Sequence, residues 1–551
     1  MKKNFRNSLL MFVVGALAVS CADYNETDNF TAAPDPTFVE PYKDLAPVKS
    51  YIDRANYPNM KLGATLKVTD FNKQELAHAA AITNFDDVAF GTSLMSGAII
   101  NAKGVMNFID MKDLLDHVQQ IGGEVFGSPI VANSGQADDW LDMLTAPIEI
   151  VVDYVEGKSV DFTTMPIGNY PGTIEKGKAS IAKYDGQNCL KVNTQAKVRI
   201  IEGFEVDSLA TYTTTFWAKS DKNATLTIYF SGNKIDGPGA NGKWTFNAGK
   251  WTKVVVEGKA ASGEKDGYLR VENALAGDVY ISKVEVGYYP DNHRPQTAEE
   301  KKDTIDYAID AWCDGLMKIN EGRIKSFDLI DEALDTKNVL DNGMFDLKHS
   351  TTKIFWQDVL GSENYAPVVS KKAATAFETH GGDLSQLKFF ISETGLEDAK
   401  KMESLNYWID VWTNNGAKID GINAKLNLSY SENAAKQEAN QATLNTLLEN
   451  LAATGKLIRL SNFDIKYQNE TGTNVSASDI TAEQRQKLAD YYAYVIRAYM
   501  TKIPHDKQAG ICKGNMSDTS DPVGLWSVNS KSKDWVRTAT YKAFCDALSG
   551  K

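Results

Sequence analysis

The sequence predicts an α/β chain interrupted by an all-β insertion. Short apolar strands alternate with amphipathic stretches from Lys61 to Leu144, and the same alternation returns after about residue 296. Between them, from about 152 to 291, only strand-like patterning is found. In the first stretch KLGATLKV and GGEVFGSPIVA read as strands. NFIDMKDLLDHVQQ reads as a helix, because Ile109, Leu114, Leu115 and Val118 recur at helical spacing. In the last stretch RIKSFDLI, LKFFIS, IDGINAKLNLSY and KLIRLSNFDIKY are strand-like, with helices such as TAEEKKDTIDYAIDAWCDGLMKI between them. Such alternation implies a parallel sheet with crossover helices, open or closed into a barrel.

The middle stretch is rich in Thr, Val, Tyr, Gly and Lys and alternates with period two in TYTTTFWAK, TLTIYFSG, WTKVVVEG and DVYISKVEVGYY. It reads as a β-sandwich set into one loop of the α/β unit, where an insertion disturbs the scaffold least. Setting it and the N-terminal segment aside leaves roughly 370 residues, the size of an eight-fold β/α barrel. A chain of 551 residues is in any case too long for one core.

The N-terminus carries Lys2, Lys3 and Arg6, then an apolar run from Leu9 to Val19, then Ser20 and Cys21. The run is too short to span a bilayer and reads as a signal segment. Ala18-Val19-Ser20-Cys21 resembles a bacterial lipobox, which implies acylation of Cys21 and a lipid anchor in the outer membrane, facing the cell surface. Residues 22–46 are polar, acidic and Pro-containing and read as a tether. The expected organisation is therefore a signal segment with its lipidated cysteine (1–21), the tether (22–46), a first part of the barrel (47–151), the sandwich (152–291) and the rest of the barrel (292–551).

Charge and composition exclude other classes. The net charge of -13, with no stripe of Lys and Arg, argues against a nucleic-acid partner. Cys189, Cys313, Cys512 and Cys545 lie far apart without CxxC spacing, and the six histidines are scattered, so neither a metal site nor a cofactor is expected. Pairing of Cys512 with Cys545 and separate buried thiols are both compatible with the spacing.

The α/β segments resemble glycoside hydrolase family 10, the endo-β-1,4-xylanases, over most of residues 60–146 and 296–548. GRIKSFDLIDEAL is similar to the family's acid/base strand W-D-V-V-N-E-A and sets Glu332 at the general acid position. FWQDVLGSENY, LKFFISETGLED, IDGINAKLNLSY and LIRLSNFDIKY follow in the family's order. The resemblance implies a (β/α)8 barrel, a xylan-like polysaccharide as partner, and an insertion similar to the carbohydrate-binding modules that interrupt some xylanases.

The departures bear on chemistry. A retaining glycosidase uses two carboxylates roughly 5 Å apart, one as acid and one as nucleophile. The family's nucleophile motif T-E-L-D reads Ser461-Asn462-Phe463-Asp464 here, and an amide cannot form the glycosyl ester. The family's H-T-L-V-W-H reads Ser128-Pro129-Ile130-Val131-Ala132-Asn133, its T-P-E-N-E-M-K reads Ala89 to Met95, its Q-M-H reads Lys425-Leu426-Asn427, and its late W-G reads Lys513-Gly514. Lys425 or Lys513 near Glu332 would hold it ionised, the wrong state for a general acid. For an inverting scheme Asp464 and Glu393 are the alternative bases. In the sandwich Tyr212, Trp217, Tyr229, Trp244, Trp251 and Tyr268 could stack on sugar rings. Trp217 and Trp251 read as structural strand residues, and Trp244, after the Gly-rich DGPGANGK, is expected to form an exposed platform. Tyr229, Tyr268, Arg270 and Glu272 could complete the sandwich site, and Asn427 could contact sugar in the barrel mouth. Two readings follow: a surface protein that binds xylan or a related β-1,4-linked polysaccharide without cleaving it, or a divergent endo-β-1,4-xylanase with Glu332 as general acid.

Overall fold

Eight parallel strands close into a barrel: β1 (Lys61–Thr65), β2 (Asp87–Ala89), β3 (Glu124–Gly127), β4 (Ser326–Asp331), β5 (Lys388–Thr394), β6 (Gly421–Lys425), β7 (Leu457–Ser461) and β8 (Gln508–Lys513). Each pairs with the next, and β8 returns to β1 with Leu62 opposite Ile511. The computed structural model describes residues 40–274, 277–529 and 533–550. The lipobox and Cys21 lie outside them.

One principal helix follows each strand: α1 (Leu76–Asn84), α2 (Ile109–Gln120), α3 (Ala298–Asn320), α4 (Tyr365–Thr379), α5 (Ala399–Asn414), α6 (Ala434–Ala453), α7 (Ala482–Lys502) and α8 (Ala539–Leu548). Their starts are written locally. Thr297 and Glu300 form a reciprocal capping box on α3, and Thr481 and Gln484 do the same on α7. In α2 the expected stripe buries Leu114, Leu115 and Val118, whereas Ile109, in the first turn, is exposed.

Strand alternation divides the barrel residues between two environments. Leu62, Val88, Val125, Phe389, Ile422 and Ile458 join the main core between sheet and helices. The opposite face points into the lumen and is polar. Arg459 on β7 makes two hydrogen bonds of 2.8 and 2.9 Å to Asp87 on β2, and Asn423 on β6 donates to both oxygens of Asp328 on β4 at 3.0 and 3.1 Å. Neither pair joins neighbouring strands, so both cross the lumen. Barrel interiors are usually filled by layers of branched apolar side chains. Here the buried charges of Arg459 and Asp87 are tolerated because they are paired.

Ala146–Gln296, between β3 and α3, forms a compact unit of its own. It contains a seven-stranded and a six-stranded antiparallel sheet. Phe216 and Val254 from one sheet and Leu226 and Val271 from the other share a core of their own. The unit reaches beyond 152–291 at both ends, because Ile148–Glu149 pairs with His293–Arg294 and ties the ends of the segment together. Cys512 and Cys545 are both buried free thiols, so that pairing is not formed.

Candidate glycan sites in the barrel mouth and on the sandwich face

The C-terminal ends of β4 to β8 gather the polar groups of the barrel mouth. Glu332 follows the last residue of β4 and its backbone N–H donates to the Ser392 carbonyl at 2.8 Å. Its φ of 46° is left-handed, as is the 51° of Asn462 just after β7. Asn tolerates this region, whereas a long side chain such as Glu does so only where its surroundings enforce it. Glu332 and Asn462 thus both stand on sharp exits from their strands.

Lys425, the last residue of β6, bridges two carboxylates, with Nζ 2.5 Å from Asp331 Oδ1 and 3.1 Å from Glu332 Oε1. Burial would push the Glu332 carboxyl up, but Lys425, with Lys348 and Lys401, outweighs it and holds the group below the usual range. Burial likewise pulls Lys425 down, and Asp331 and Glu332 overcome it and hold the ammonium above its ordinary value. Both partners are therefore charged at neutral pH. A general acid needs the opposite displacement.

Asn462 is exposed and its Nδ2 donates to the Leu426 carbonyl at 3.2 Å. Asp464 shares that side of the mouth: a methyl group at Gly514 would stand 2.6 Å from Asp464 Oδ2 and 3.1 Å from Asn462 Oδ1. Asp464 is not a free base. It pairs with Lys513, whose side chain is 0% exposed, and accepts from the Asn515 side chain at 2.6 Å and its backbone N–H at 3.2 Å. Glu393 is also withdrawn. It is buried at the end of β5, pairs with Lys401 at 2.9 Å and accepts from the backbone N–H groups of Leu334 and Thr394. Asn427 is exposed between β6 and the following strand Leu428–Ser431.

In the sandwich unit the expected aromatic site takes a different form. Trp244 is half-buried against the core beside Gly237, where an added methyl would stand 2.7 Å from its ring, so it is not the exposed platform. Tyr268 is 8% exposed and covered by the Arg199 guanidinium at 3.9 Å, which removes it as a stacking surface. Trp217, read as structural, is 44% exposed.

Tyr229 and Arg270 do come together, the guanidinium lying 4.0 Å from the ring centroid. Arg270 also reaches Glu175 at 3.1 Å and Glu272 at 2.8 Å, and Glu175 accepts from Arg199 at 2.9 Å. Arg270 Nε is left without a hydrogen-bond partner. The result is a row of guanidinium, carboxylate and ring groups across adjacent strands. Glu175, Arg199, Asp331 and Asn515 did not stand out in the sequence. Asp331, directly before Glu332, could have been found as the second acid of that dipeptide.

Comparison with known proteins agrees with this architecture. Residues 290–529 match the sequence model of Glycosyl hydrolase family 10. No curated protein matches the chain significantly. Among solved structures, xylanase B from Clostridium stercorarium F9 is similar at 10% identity and a TM-score of 0.51, covering 91% of this chain and 100% of its own. Xylanase XynB from Paenibacillus barcinonensis, in complex with a conduramine derivative, is similar at 10% identity and the same TM-score, covering 91% and 98%. These likenesses concern the fold. The closed parallel barrel thus agrees with the fold of these structures, and its segment 290–529 is similar to a Glycosyl hydrolase family 10 domain.

Proposed function

We propose that the protein binds xylan or a related β-1,4-linked polysaccharide and does not hydrolyse it. The observation that carries this reading is the state of the acids in the barrel mouth. Asn462 stands at the nucleophile position, Asp464 and Glu393 are each tied to a lysine, and Lys425 holds Glu332 ionised. Double displacement needs a free carboxylate beside a protonated one, whereas here Glu332 is held ionised and Glu393, the carboxyl that burial pushes up, is enclosed and tied to Lys401. The xylanase names of the similar structures support the choice of polysaccharide.

Tyr229 and Arg270 support a second contact on the sandwich, which on this reading is a carbohydrate-binding module. The Arg270 guanidinium stacked on the Tyr229 ring offers a flat cationic surface for a sugar ring and its hydroxyls. At the N-terminus, the lipobox-like sequence supports acylation of Cys21 and retention at the outer membrane, on the cell surface. Cys21→Ala should then move the protein from the membrane to the soluble fraction, and unchanged partitioning would refute the anchor.

The purified full chain should be retarded in an arabinoxylan affinity gel while releasing no reducing ends. Sustained release that is abolished by Glu332→Gln would replace this reading with the divergent hydrolase.

A further inference from the structure

A cavity of the barrel lies at the end opposite Glu332. It has a volume of about 900 Å³ and is lined by the first residues of the strands, including Lys61, Asp87, Glu124, Ser326 and Lys388. That volume lies in the range of small-molecule sites, which run to roughly 1,000 Å³.

Its charge runs against that of the chain. Lys61, Arg323, Lys325, Lys388, Arg459 and Lys507 line it, against three acids, in a protein of net charge -13. Some of these cations are neutralised where they stand: Arg459 by Asp87, Lys61 by Glu124 at 2.8 Å, and Arg323 by Asp116 at 2.6 Å. Others are not. Lys388 comes no closer than 3.6 Å to Asp420, which Lys418 already engages at 3.0 Å, and Lys507 is 3.7 Å from Asp506. Lys325 makes no ion pair among the described residues. Lys325 and Lys388 sit at the starts of adjacent strands, joined by a backbone hydrogen bond of 2.8 Å from Lys388 N–H to the Lys325 carbonyl. The floor contributes Phe126, Phe390 and the buried Arg459, whose guanidinium is 4.1 Å from the Phe126 ring. A floor of buried side chains lowers the local dielectric and strengthens attraction between rim and ligand.

We propose that this N-terminal mouth is a binding site for a small polyanion bearing phosphate or carboxylate groups, held by Lys325, Lys388 and Lys507. The site does not depend on the glycan reading, because Glu332 and Asn462 lie at the other ends of the strands.

The test is calorimetric titration of the full chain with inorganic phosphate and, separately, with tricarballylate, at low and high ionic strength. Saturable binding that weakens with salt is expected, reduced about ten-fold or more by Lys325→Gln/Lys388→Gln and by Lys507→Gln. Both variants should keep the unfolding midpoint and the xylan retardation of the parent, which separates this site from the glycan sites. Binding of phosphate alone would point to a phosphorylated ligand, and binding of tricarballylate alone to a polycarboxylate. If neither probe binds, or the variants bind as the parent does, the proposal is wrong.

Discussion

Lys513 is wholly enclosed at the end of β8, and burial pulls its ammonium below the ordinary lysine range although Asp464 opposes this. Removing one partner of such a pair leaves an uncompensated buried charge, at a cost of about 3–5 kcal/mol. Asp464→Asn should therefore lower the denaturant midpoint sharply, and Asp464→Asn/Lys513→Met should recover most of the loss. If the single variant unfolds like the parent, the pair is not the anchor of this strand end. Asp328 gives a second residue-scale expectation. Burial, helped by Asp331, pushes its carboxyl up from 3.8 to about 8. The native protein thus holds a proton that the unfolded chain releases near pH 4, so this group makes stability fall as pH rises from about 4 to about 8, and the loss levels off above that. Asp328→Asn should flatten this part of the stability profile and raise the midpoint at pH 7. An unchanged profile would place the proton elsewhere. These residues also mark what was legible. Asn462 could be read from its motif, and a lysine at Glu332 from Lys425, whereas Lys513 engages Asp464 and not Glu332. Which lysine takes which acid could not be read, since Lys513 meets Asp464 across 49 positions and Arg459 meets Asp87 across 372. Strand alternation says that Arg459 and Asp328 face away from the helices, and nothing in it names the partner across the lumen.

At the scale of elements, the period-two strings of the sandwich correspond to real strands, TYTTTFWAK falling within Thr211–Ser220. Their phase was harder to read. Phe216 and Trp217 are adjacent and both large, so either could have faced inward, and packing against the second sheet buries Phe216 and leaves Trp217 out. The Gly-rich loop before Trp244 suggested an exposed ring, yet its glycines let the loop fold closely over the ring instead. Trp244→Ala should then destabilise the sandwich by about 1–3 kcal/mol, as loss of a partly buried aromatic does, while Trp217→Ala leaves its midpoint nearly unchanged. Equal midpoints for the two variants would return Trp244 to the surface. Glycan affinity should follow other residues. Arg270→Ala leaves Glu175 paired with Arg199 and Glu272 with Lys197, so the sheet keeps its charge balance. Arg270→Ala and Tyr229→Ala should each weaken arabinoxylan retardation without lowering the midpoint. Full retardation by both would move the contact off this face.

At the scale of the whole molecule, the chain folds around two hydrophobic cores that share no residue, one in the barrel and one in Ala146–Gln296. The β/α alternation on either side of the insertion made the parallel barrel readable, and the family motifs closed the choice between an open and a closed sheet. The limits of the insertion were less readable, because its closing element is only two residues long on each side and too short to show a period. That element has a thermodynamic consequence. Ile148–Glu149 lies antiparallel to His293–Arg294, and the Ile150 N–H donates to the Asn292 carbonyl at 2.6 Å, so the two ends of the inserted segment are held side by side by its own backbone. An insertion with paired ends imposes little loop-closure entropy on its host, and its removal leaves a gap that a short linker can bridge. Expressed alone, residues 146–296 should unfold in one cooperative transition, since a segment of this size removes well over half of its surface from water. The barrel with that segment replaced by a short Gly-Ser linker should also unfold cooperatively, and the two midpoints should reproduce those of the full chain. A barrel that no longer folds without the insertion would show that the two cores are energetically one.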